Sequence, residues 1–454
     1  MELSLTAEQC QAARLARDPR FDGRFFTAVK TTGIFCRPVC PAVAPKETNV
    51  EYFANATQAL QAGYRPCLRC RPESAPGSRA WLGTTTSFRR AVQLIDEGAL
   101  QEQSLPDLAE RLGMTDRHLR NLFRQQMGLS PKAYATLSQL LFAKQLLHNS
   151  NLSISNIAFA AGFNSVRRFN DAFHKHLKLT PSAVRDQPSV SASANKLVLT
   201  LKEPFNWQQM LTFYRLRAID KVESVSDQSY GRNFRLNGSD GWFNATQAAA
   251  NKLEIEFTLS DIRQLKSVVA NIRRMFDLDA DTQQIEEQLN TSALAGRLTT
   301  GLRIPGVWSP WEAGVRAILG QQVSVKAAIT HLNRLVESLN SHQREDWQFP
   351  SAEQIAQADL SVLRMPDNRR QTLHRFACYV AEHGDHQPED WLQLKGVGPW
   401  TVNYARLRGL SEPDCFLSTD LIVKKALSAL GAEPHTRFSP WGSYATFHCW
   451  NLAL

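Results

Sequence analysis

Four cysteines stand at a spacing that can do chemistry. Cys36 and Cys40 are separated by three residues in "GIFCRPVCPA", and Cys67 and Cys70 by two in "YRPCLRCRPE". Two such knuckles joined by a loop are explained most economically by one tetrahedral Zn2+ held on four thiolates. A pair of disulfides needs an oxidising compartment. The N-terminus "MELSLTAEQCQAARLARDPR" carries no basic stretch followed by an apolar one, and no run of 18 apolar residues occurs. A cytoplasmic, nucleoid-associated chain without membrane contact is therefore expected. Spacing alone leaves the role of the zinc open between a structural staple and a reactive thiolate. A second candidate lies far downstream, where "LKGVGPWTVNYARLRGL" holds Gly396 and Gly398 and Asp420 follows Trp400 by 20 residues. Alone, those are a tight turn and a helix cap.

The elements that must position these residues can be read from composition and pattern. At 454 residues with 43% apolar and 21% charged residues, the chain is globular and long enough for two to four domains. Its net charge of +9 is uneven: residues 1–190 hold 24 Lys+Arg against 15 Asp+Glu, and residues 191–454 hold 28 of each. A basic half suits a polyanionic partner. "DQPSVSASAN" at 186–195 reads as a linker, with a softer break at "PESAPGS", 72–78. "KLVLTLKE" and "KLEIEFTL" alternate as half-buried strands, with hairpin signals at Asn237-Gly238 and Asp240-Gly241 between them. From about Asp261 the helical pattern returns. The expected architecture is multidomain, mainly α with a smaller α+β part. It comprises a four-cysteine zinc domain at 1–78, a helical domain at 79–185, the linker 186–195, a small sheet domain at 196–283 and a second helical domain at 284–454.

The stretches "FFTAVKTTGIFCRPVC" and "NVEYFANATQALQAGYRPCLRCRPE" resemble the N-terminal domain of the Ada-type methylphosphotriester sensors over roughly residues 15–75. The resemblance implies that Cys36, Cys40, Cys67 and Cys70 bind zinc and that Cys36 is also the methyl acceptor. Zinc keeps a cysteine as its nucleophilic thiolate at neutral pH. Methyl transfer would reduce the centre's formal charge from −2 to −1, which lowers repulsion from phosphate and can act as a binding switch.

In "SLPDLAERLGMTDRHLRNLFRQQMGLSP", Ser104 and Asp107 form a capping-box pattern with Pro106 in the first turn, Gly113 marks a turn and Thr115 opens a second helix. "SISNIAFAAGFNSVRRFNDAFHKHLKLTP" repeats the plan, with Gly162 at the turn and Ser165 at the next start. The pair resembles the AraC-type helix-turn-helix DNA-binding domain. That places Arg117, His118, Arg120, Asn121 and Arg124 on one recognition helix and Arg167, Arg168, Asn170 and His174 on the other. Phe123, Phe163, Phe169 and Phe173 are expected in the core. Lys178 and Val184 stand where that family commonly has a glycine and a tyrosine.

"WSPWEAGVRAILGQQVS", the glycine hairpin, "DCFLSTDLIVKKAL" and "PWGSYATFHCW" look like the helix-hairpin-helix DNA glycosylases, most closely the AlkA-like 3-methyladenine enzymes, over residues 196–454. The resemblance implies backbone contact with DNA phosphate at Gly396 and Gly398, and a base pocket of Trp400, Tyr404 and Trp450. It implies a catalytic carboxylate at Asp420 and a stack-wedging residue at Gln322. Trp400 occupies the place of the lysine used by strand-cleaving relatives, so the expected enzyme is monofunctional. Cys10, Cys378, Cys415 and Cys449 lack the "PCHR" context of a guanine-O6 methyltransferase, so that activity is not expected.

The reading is an alkylation-damage sensor and transcriptional activator joined to a base-excision glycosylase. It would act as a monomer on alkylated and promoter double-stranded DNA and contact RNA polymerase. The alternatives are a regulator whose glycosylase half binds DNA without catalysis, and a glycosylase anchored by its basic half. Asp420 with its pocket aromatics argues against the first, and Cys36 in a basic half against the second.

Overall fold

The structure is a computed structural model that describes residues 5–17, 21–22, 24–40, 42–54, 58–59, 62–67, 70, 72, 83–96, 98–185, 195–340, 346–432 and 438–452. Residues 73–78 of the softer break and 186–194 of the linker fall outside them; Asn195 opens a strand. The chain divides into two compact units, one of residues 1–143 with 161–180, the other of 144–160 with 181–454. Helices dominate both, each with one small sheet, as expected for a mainly α chain with a smaller α+β part.

In the first unit, Phe26–Val29 (β1), Ile34–Cys36 (β2), Val50–Phe53 (β3) and Arg65–Pro66 (β4) form a sheet in the order β3-β1-β2-β4. Alternation buries Phe26 and Ala28 of β1 and Phe35 of β2 together. The helix Ala7–Ala16 starts on a capping box of Thr6 and Gln9, and Arg14 reaches Tyr52 Oη at 3.2 Å from its last turn. The helix Leu105–Arg111 opens on the Ser104–Asp107 capping box with Pro106 in its first turn. Asp116–Met127 opens on Thr115, and Val166–Leu177 on Ser165. Gly113 and Gly162 have φ of +68° and +85°, as their turns require. Leu119 and Phe123 join Leu105 and Leu108 in one core, and Phe169 and Phe173 are buried. Phe163 is half-buried against Phe169, their ring centroids 5.3 Å apart.

In the second unit, Asn195–Thr200 (β5), Glu223–Val225 (β6), Ser229–Leu236 (β7), Ser239–Ala249 (β8) and Lys252–Leu259 (β9) form an antiparallel sheet in the order β5-β9-β8-β7-β6. Asn237-Gly238 makes the two-residue β7–β8 turn, both residues at positive φ. The expected second turn at Asp240-Gly241 is instead inside β8. Gly241 serves there as a strand glycine, since a Cβ would stand 2.5 Å from the Phe234 ring and 2.7 Å from the Thr258 carbonyl.

The helix Pro310–Gly320 is the centre of the helical part. Ser309 caps it, Pro310 fixes its first turn, and every side chain from Trp311 to Leu319 is buried. A helix buried all round needs neighbours on all sides. It finds them through small residues: a Cβ on Gly314 would meet the Phe376 ring at 2.4 Å, and one on Gly409 would meet Pro310 at 2.6 Å. The second contact sets the helix Pro399–Gly409 against its start. Two buried charges of that helix tie the sheet to it: Glu312 accepts from Arg232 of β7 at 2.9 Å, and Arg316 donates to Glu223 of β6 at 2.6 Å. Among the described residues no helix is long and apolar enough to cross a membrane.

Candidate functional site

The four cysteines meet because a short parallel pairing aligns their two segments. Ile34 and Phe35 of β2 lie beside Arg65 and Pro66 of β4, and the Cys67 N–H donates to the Phe35 carbonyl at 3.0 Å. Cys36 and Cys67 therefore leave adjacent strands side by side. From Cys36 the chain turns back, closed by Cys40 N–H to the Arg37 carbonyl at 3.1 Å, and Cys40 and Cys70 meet the other two cysteines at the same point. All four Sγ atoms lie within 4.8 Å of one another. A tetrahedron of zinc–sulfur bonds of ~2.3 Å has sulfur separations of ~3.8 Å, so the donor set fits the ion.

Its electrostatics fit as well. Hydrogen bonds with Cys40 and Cys70 push the Cys36 thiol up, and those with Cys36 and Cys70 hold Cys40 down. The cluster stabilises one thiolate by itself, but four this close need a shared cation. Second-layer support comes from Arg37, whose N–H points at Cys70 Sγ at 3.4 Å and whose buried guanidinium pairs with Asp22, Nε to Oδ1 at 2.7 Å. Cys40 and Cys70 are buried, whereas Cys36 and Cys67 are half-exposed. Cys10 and Cys449 are buried and pushed up to about 12 by burial, so both stay protonated thiols. Cys415 is also buried, and Cys378 is exposed.

On the recognition helices, Arg117, His118, Arg120, Asn121 and Arg124 are exposed, as are Arg167, Arg168, Asn170 and His174. Arg120 is partly engaged with Asp116 one turn earlier at 3.0 Å.

A cavity of about 1080 Å³ opens in the second unit. Trp400 and Tyr404, four apart on the helix Pro399–Gly409, present one aromatic face, their rings stacked at 5.2 Å and 25°. Trp450 comes from the helix Gly442–Leu452, with its ring 6.5 Å from Tyr404. All three are half-buried, as aromatics that line a cavity must be.

Asp420 is the N-cap of the helix Leu421–Ala429. Its Oδ1 accepts from Ile422 N–H at 3.0 Å, Val423 N–H at 3.2 Å and Trp450 Nε1 at 3.1 Å. Among the described residues its Oδ2 accepts nothing. The carboxylate is thus held by one oxygen, with a cavity tryptophan as one donor, while the other oxygen is available.

At the rim, Gln322 is exposed and has φ +56°, a region sparsely used by residues other than glycine. Its neighbour Gln321 fixes the loop by donating to the Gly396 carbonyl at 3.1 Å and to Thr401 Oγ1 at 3.2 Å. The two hairpin glycines differ. Gly396 has φ +96°, and a Cβ there would stand 2.1 Å from Thr372 Oγ1, so the fold itself requires it. Gly398 has an ordinary φ of −115°, and a Cβ would face open space.

The cavity also contains residues that sequence reasoning missed. Phe213, from the helix Trp207–Arg215 beside the sheet, stacks on Trp450 at 6.1 Å and 17°, and Phe447 meets Trp450 edge-on at 5.0 Å. Arg217 lies two residues past the first of these helices, also against the cavity. Phe447 shares the Trp450 helix three residues away, a spacing that was available as a signal. Nothing in the sequence marks Phe213 or Arg217, because a different domain delivers them.

Comparison with known proteins gives three matches in chain order. Residues 9–73 match the metal binding domain of Ada, 108–187 a helix-turn-helix domain, and 196–309 the AlkA N-terminal domain. The first match and the four-sulfur cluster together make this a zinc site, as the spacing predicts. The chain is 33% identical over 273 residues to the DNA-3-methyladenine glycosylase 2 of Escherichia coli, covering 56% of this chain and 95% of that one. It is 43% identical over 130 residues to the bifunctional transcriptional activator/DNA repair enzyme Ada of the same organism, covering 29% and 35%. Over 476 residues it is 36% identical to the probable bifunctional transcriptional activator/DNA repair enzyme AlkA of Mycobacterium tuberculosis, covering 98% of this chain and 96% of that protein. Identity at that level over nearly the whole length, with the three domains in this order, makes the chain a member of the bifunctional transcriptional activator/DNA repair AlkA family.

Proposed function

We propose that the chain releases alkylated bases such as 3-methyladenine from double-stranded DNA as a monofunctional glycosylase, and separately accepts a methyl group from DNA methylphosphotriesters on Cys36. The observation that carries the first activity is the divided carboxylate of Asp420. With Oδ1 taken by three donors, Oδ2 is left to face a flipped nucleotide in the aromatic cavity. As the C1′–N bond breaks, its electron pair leaves with the base. Oδ2 stabilises the positive charge that develops on the sugar, and a water oxygen bonds to C1′ while Oδ2 takes its proton. Trp400, Tyr404 and Trp450 offer π faces to the flipped base. Trp400 has no amine to form a Schiff base, so the strand stays intact. Gln322 fills the gap left in the stack, and Gly396 with Gly398 brings backbone to the phosphate.

At the cysteine centre, bound zinc supplies the positive charge that keeps four neighbouring sulfurs ionised. Cys36, half-exposed at the end of β2, attacks the methyl carbon. An S–C bond forms, the C–O bond breaks, and the electron pair returns to the phosphate as a diester anion. The methyl thioether is stable, so one methyl is accepted per chain. One negative charge is then gone from a DNA-facing centre, and promoter binding tightens. The exposed side chains from Arg117 to Arg124 and from Arg167 to Asn170 are the proposed promoter contacts, RNA polymerase is the proposed partner, and the protein acts as a cytoplasmic monomer. The boundaries 1–78, 79–185, 196–283 and 284–454 are proposed as its functional modules.

The decisive experiment is base-release analysis on alkylated DNA with the wild type and Asp420→Asn, which keeps the shape and removes the charge. Release of 3-methyladenine is expected to fall by about a hundredfold or more, while binding to abasic DNA survives. Near-wild-type release by the variant would reject the mechanism. For the cysteine centre, peptide mass spectrometry after incubation with methylated DNA should find a single methyl, on Cys36; a methyl on Cys40, Cys67 or Cys70 would reject that assignment.

A further inference from the structure

The turn that carries Gln322 is strained, and the side chain next to it ties that turn to the rest of the cavity. The helix Pro310–Gly320 and the helix Val325–Leu339, which Ser324 caps, are joined by residues 321–324 alone. Gln322 sits in this connection at φ +56°, exposed, and among the described residues no hydrogen bond of its own holds it there. A conformation that costs energy persists only where its surroundings impose it. The surroundings here are the carboxamide of Gln321. Its Nε2 has two N–H donors and two acceptors, the Gly396 carbonyl at 3.1 Å and Thr401 Oγ1 at 3.2 Å. Gly396 packs directly on Thr372 of the helix Asp367–His383. Thr401 is buried in the first turn of the helix Pro399–Gly409, one residue after Trp400. One carboxamide thus spans the strained turn, the hairpin and the helix that bears the aromatic wall.

Extruding a base from a duplex breaks its pairing and stacking, and the cost is smaller where the base has no partner. While the base is outside, the grip on the phosphate and the filling of the gap must keep a fixed separation, or the base returns to the stack. We propose that Gln321 is a positioning residue that locks the wedge at Gln322 to the hairpin at Gly396, so that phosphate contact and insertion into the stack act as one rigid unit. Both of its acceptors are protein atoms, so it works through Gln322 and the hairpin. It serves extrusion, and bond breaking is left to Asp420. The proposal rests on the glycosylase reading above and on the role given there to Gln322.

The test measures single-turnover release of 3-methyladenine by the full-length protein from two duplexes. They are identical except that the damaged base faces thymine in one and an abasic site in the other. Gln321→Met keeps the length of the side chain and removes both donors. Release from the paired duplex should fall by about tenfold or more, and release from the unpaired one by less than about threefold. A contribution to folding or to bond breaking lowers both rates alike. Equal losses, or no loss, therefore overturn the proposal. Should the Met variant fail to fold, Gln321→Asn keeps the carboxamide on a shorter stem that strains its reach to the two acceptors. A paired-to-unpaired ratio about threefold or more below wild type then supports the proposal, and an unchanged ratio overturns it. If the wild type releases base from neither duplex, the glycosylase reading itself has failed; if it releases from both and the ratio ignores Gln321, that reading stands and the positioning role falls.

Discussion

The cysteine centre and the base cavity hold their functional groups in opposite ways. The four cysteines lie within 35 residues and are brought together by two register positions of one strand pair and the turn from Cys36 to Cys40. A domain of so few residues buries only a modest core, so the ion itself supplies much of the stability. The cavity draws its walls from Phe213 to Trp450, and among the described residues it holds no cluster of metal-ligating side chains; its geometry depends on the buried helix Pro310–Gly320 and the charges that tie a sheet to it. One site is a local device closed by a ligand, the other a product of long-range packing.

Metal removal should break the first and spare the second. Apparent zinc affinities of small sites are worth ~10–16 kcal/mol at neutral pH, far more than the core around these cysteines can replace. Chelation is therefore expected to strip amide protection from residues 24–67 while the helices Pro310–Gly320 and Pro399–Gly409 keep theirs in the same hydrogen-exchange experiment. Retained protection around β1 and β2 after verified zinc loss would reject the division.

The reciprocal break is Glu312→Gln. Burial pushes this carboxyl up, but Arg232 and Arg316 more than offset it and hold its pKa down to about 2, against an ordinary 4.5. A depressed carboxylate stabilises the fold above its unfolded pKa, and that stabilisation is lost as pH falls through the folded one. The loss should therefore run from about pH 4.5 down to about pH 2 and amount to ~3 kcal/mol. Removing the charge leaves two buried arginines undercompensated, which costs ~3–5 kcal/mol at neutral pH. The variant should also lose the acid dependence in that window. Acid titration of unfolding checks both, and an unchanged acid limb would mean that the network contributes nothing to holding the sheet on its helix.

The same contrast explains what the sequence disclosed. The zinc ligands were legible because their chemistry is written in spacing over a few residues. The capping boxes at Ser104 and the helix starts at Thr115 and Ser165 were legible for the same reason. Asp420 and the Trp400–Tyr404 pair could be picked out by their motif, but not the division of labour between the oxygens of Asp420, which depends on the indole of Trp450. Asp240-Gly241 misled because a turn-forming dipeptide also serves where two strands approach too closely for a Cβ. Phe213 and Arg217 were invisible: an apolar residue on an amphipathic helix and an arginine just past it have no local signature of facing a cavity built by another domain.

Gly396 and Gly398 look alike in sequence and separate on substitution. Gly396→Ala forces a Cβ onto Thr372 Oγ1, which donates to the Asn368 carbonyl at 2.9 Å and accepts from Arg375 at 3.2 Å. With the strained φ added, the expected destabilisation is ~2–3 kcal/mol. Gly398→Ala meets no internal neighbour and should change stability by less than ~1 kcal/mol, while weakening DNA binding if backbone and phosphate meet there. Denaturant midpoints and duplex affinities of the two variants separate fold from contact. Equal losses of stability would show that both glycines serve only the hairpin.

The smallest effect compares the two recognition helices. Asp116–Met127 ends on Gly128 at φ +70°, whose N–H donates to the Arg124 carbonyl at 2.9 Å. Val166–Leu177 ends the same way on Lys178, at φ +58° with its N–H 3.0 Å from the His174 carbonyl. The cap geometry is the same, but a lysine Cβ in the left-handed region crowds its own carbonyl, and a glycine has none. The αL penalty for a side chain exceeds the extra entropy glycine loses on folding. Lys178→Gly should therefore stabilise the helix end by ~0.5–1 kcal/mol, and Gly128→Ala should destabilise its counterpart by a similar amount. Amide exchange across residues 174–178 and 124–128 reads both changes. A slower exchange at the second helix in Lys178→Gly, matched by faster exchange at the first in Gly128→Ala, is the expected pair. No gain at Lys178 would mean that its side chain returns in local contacts what its backbone loses.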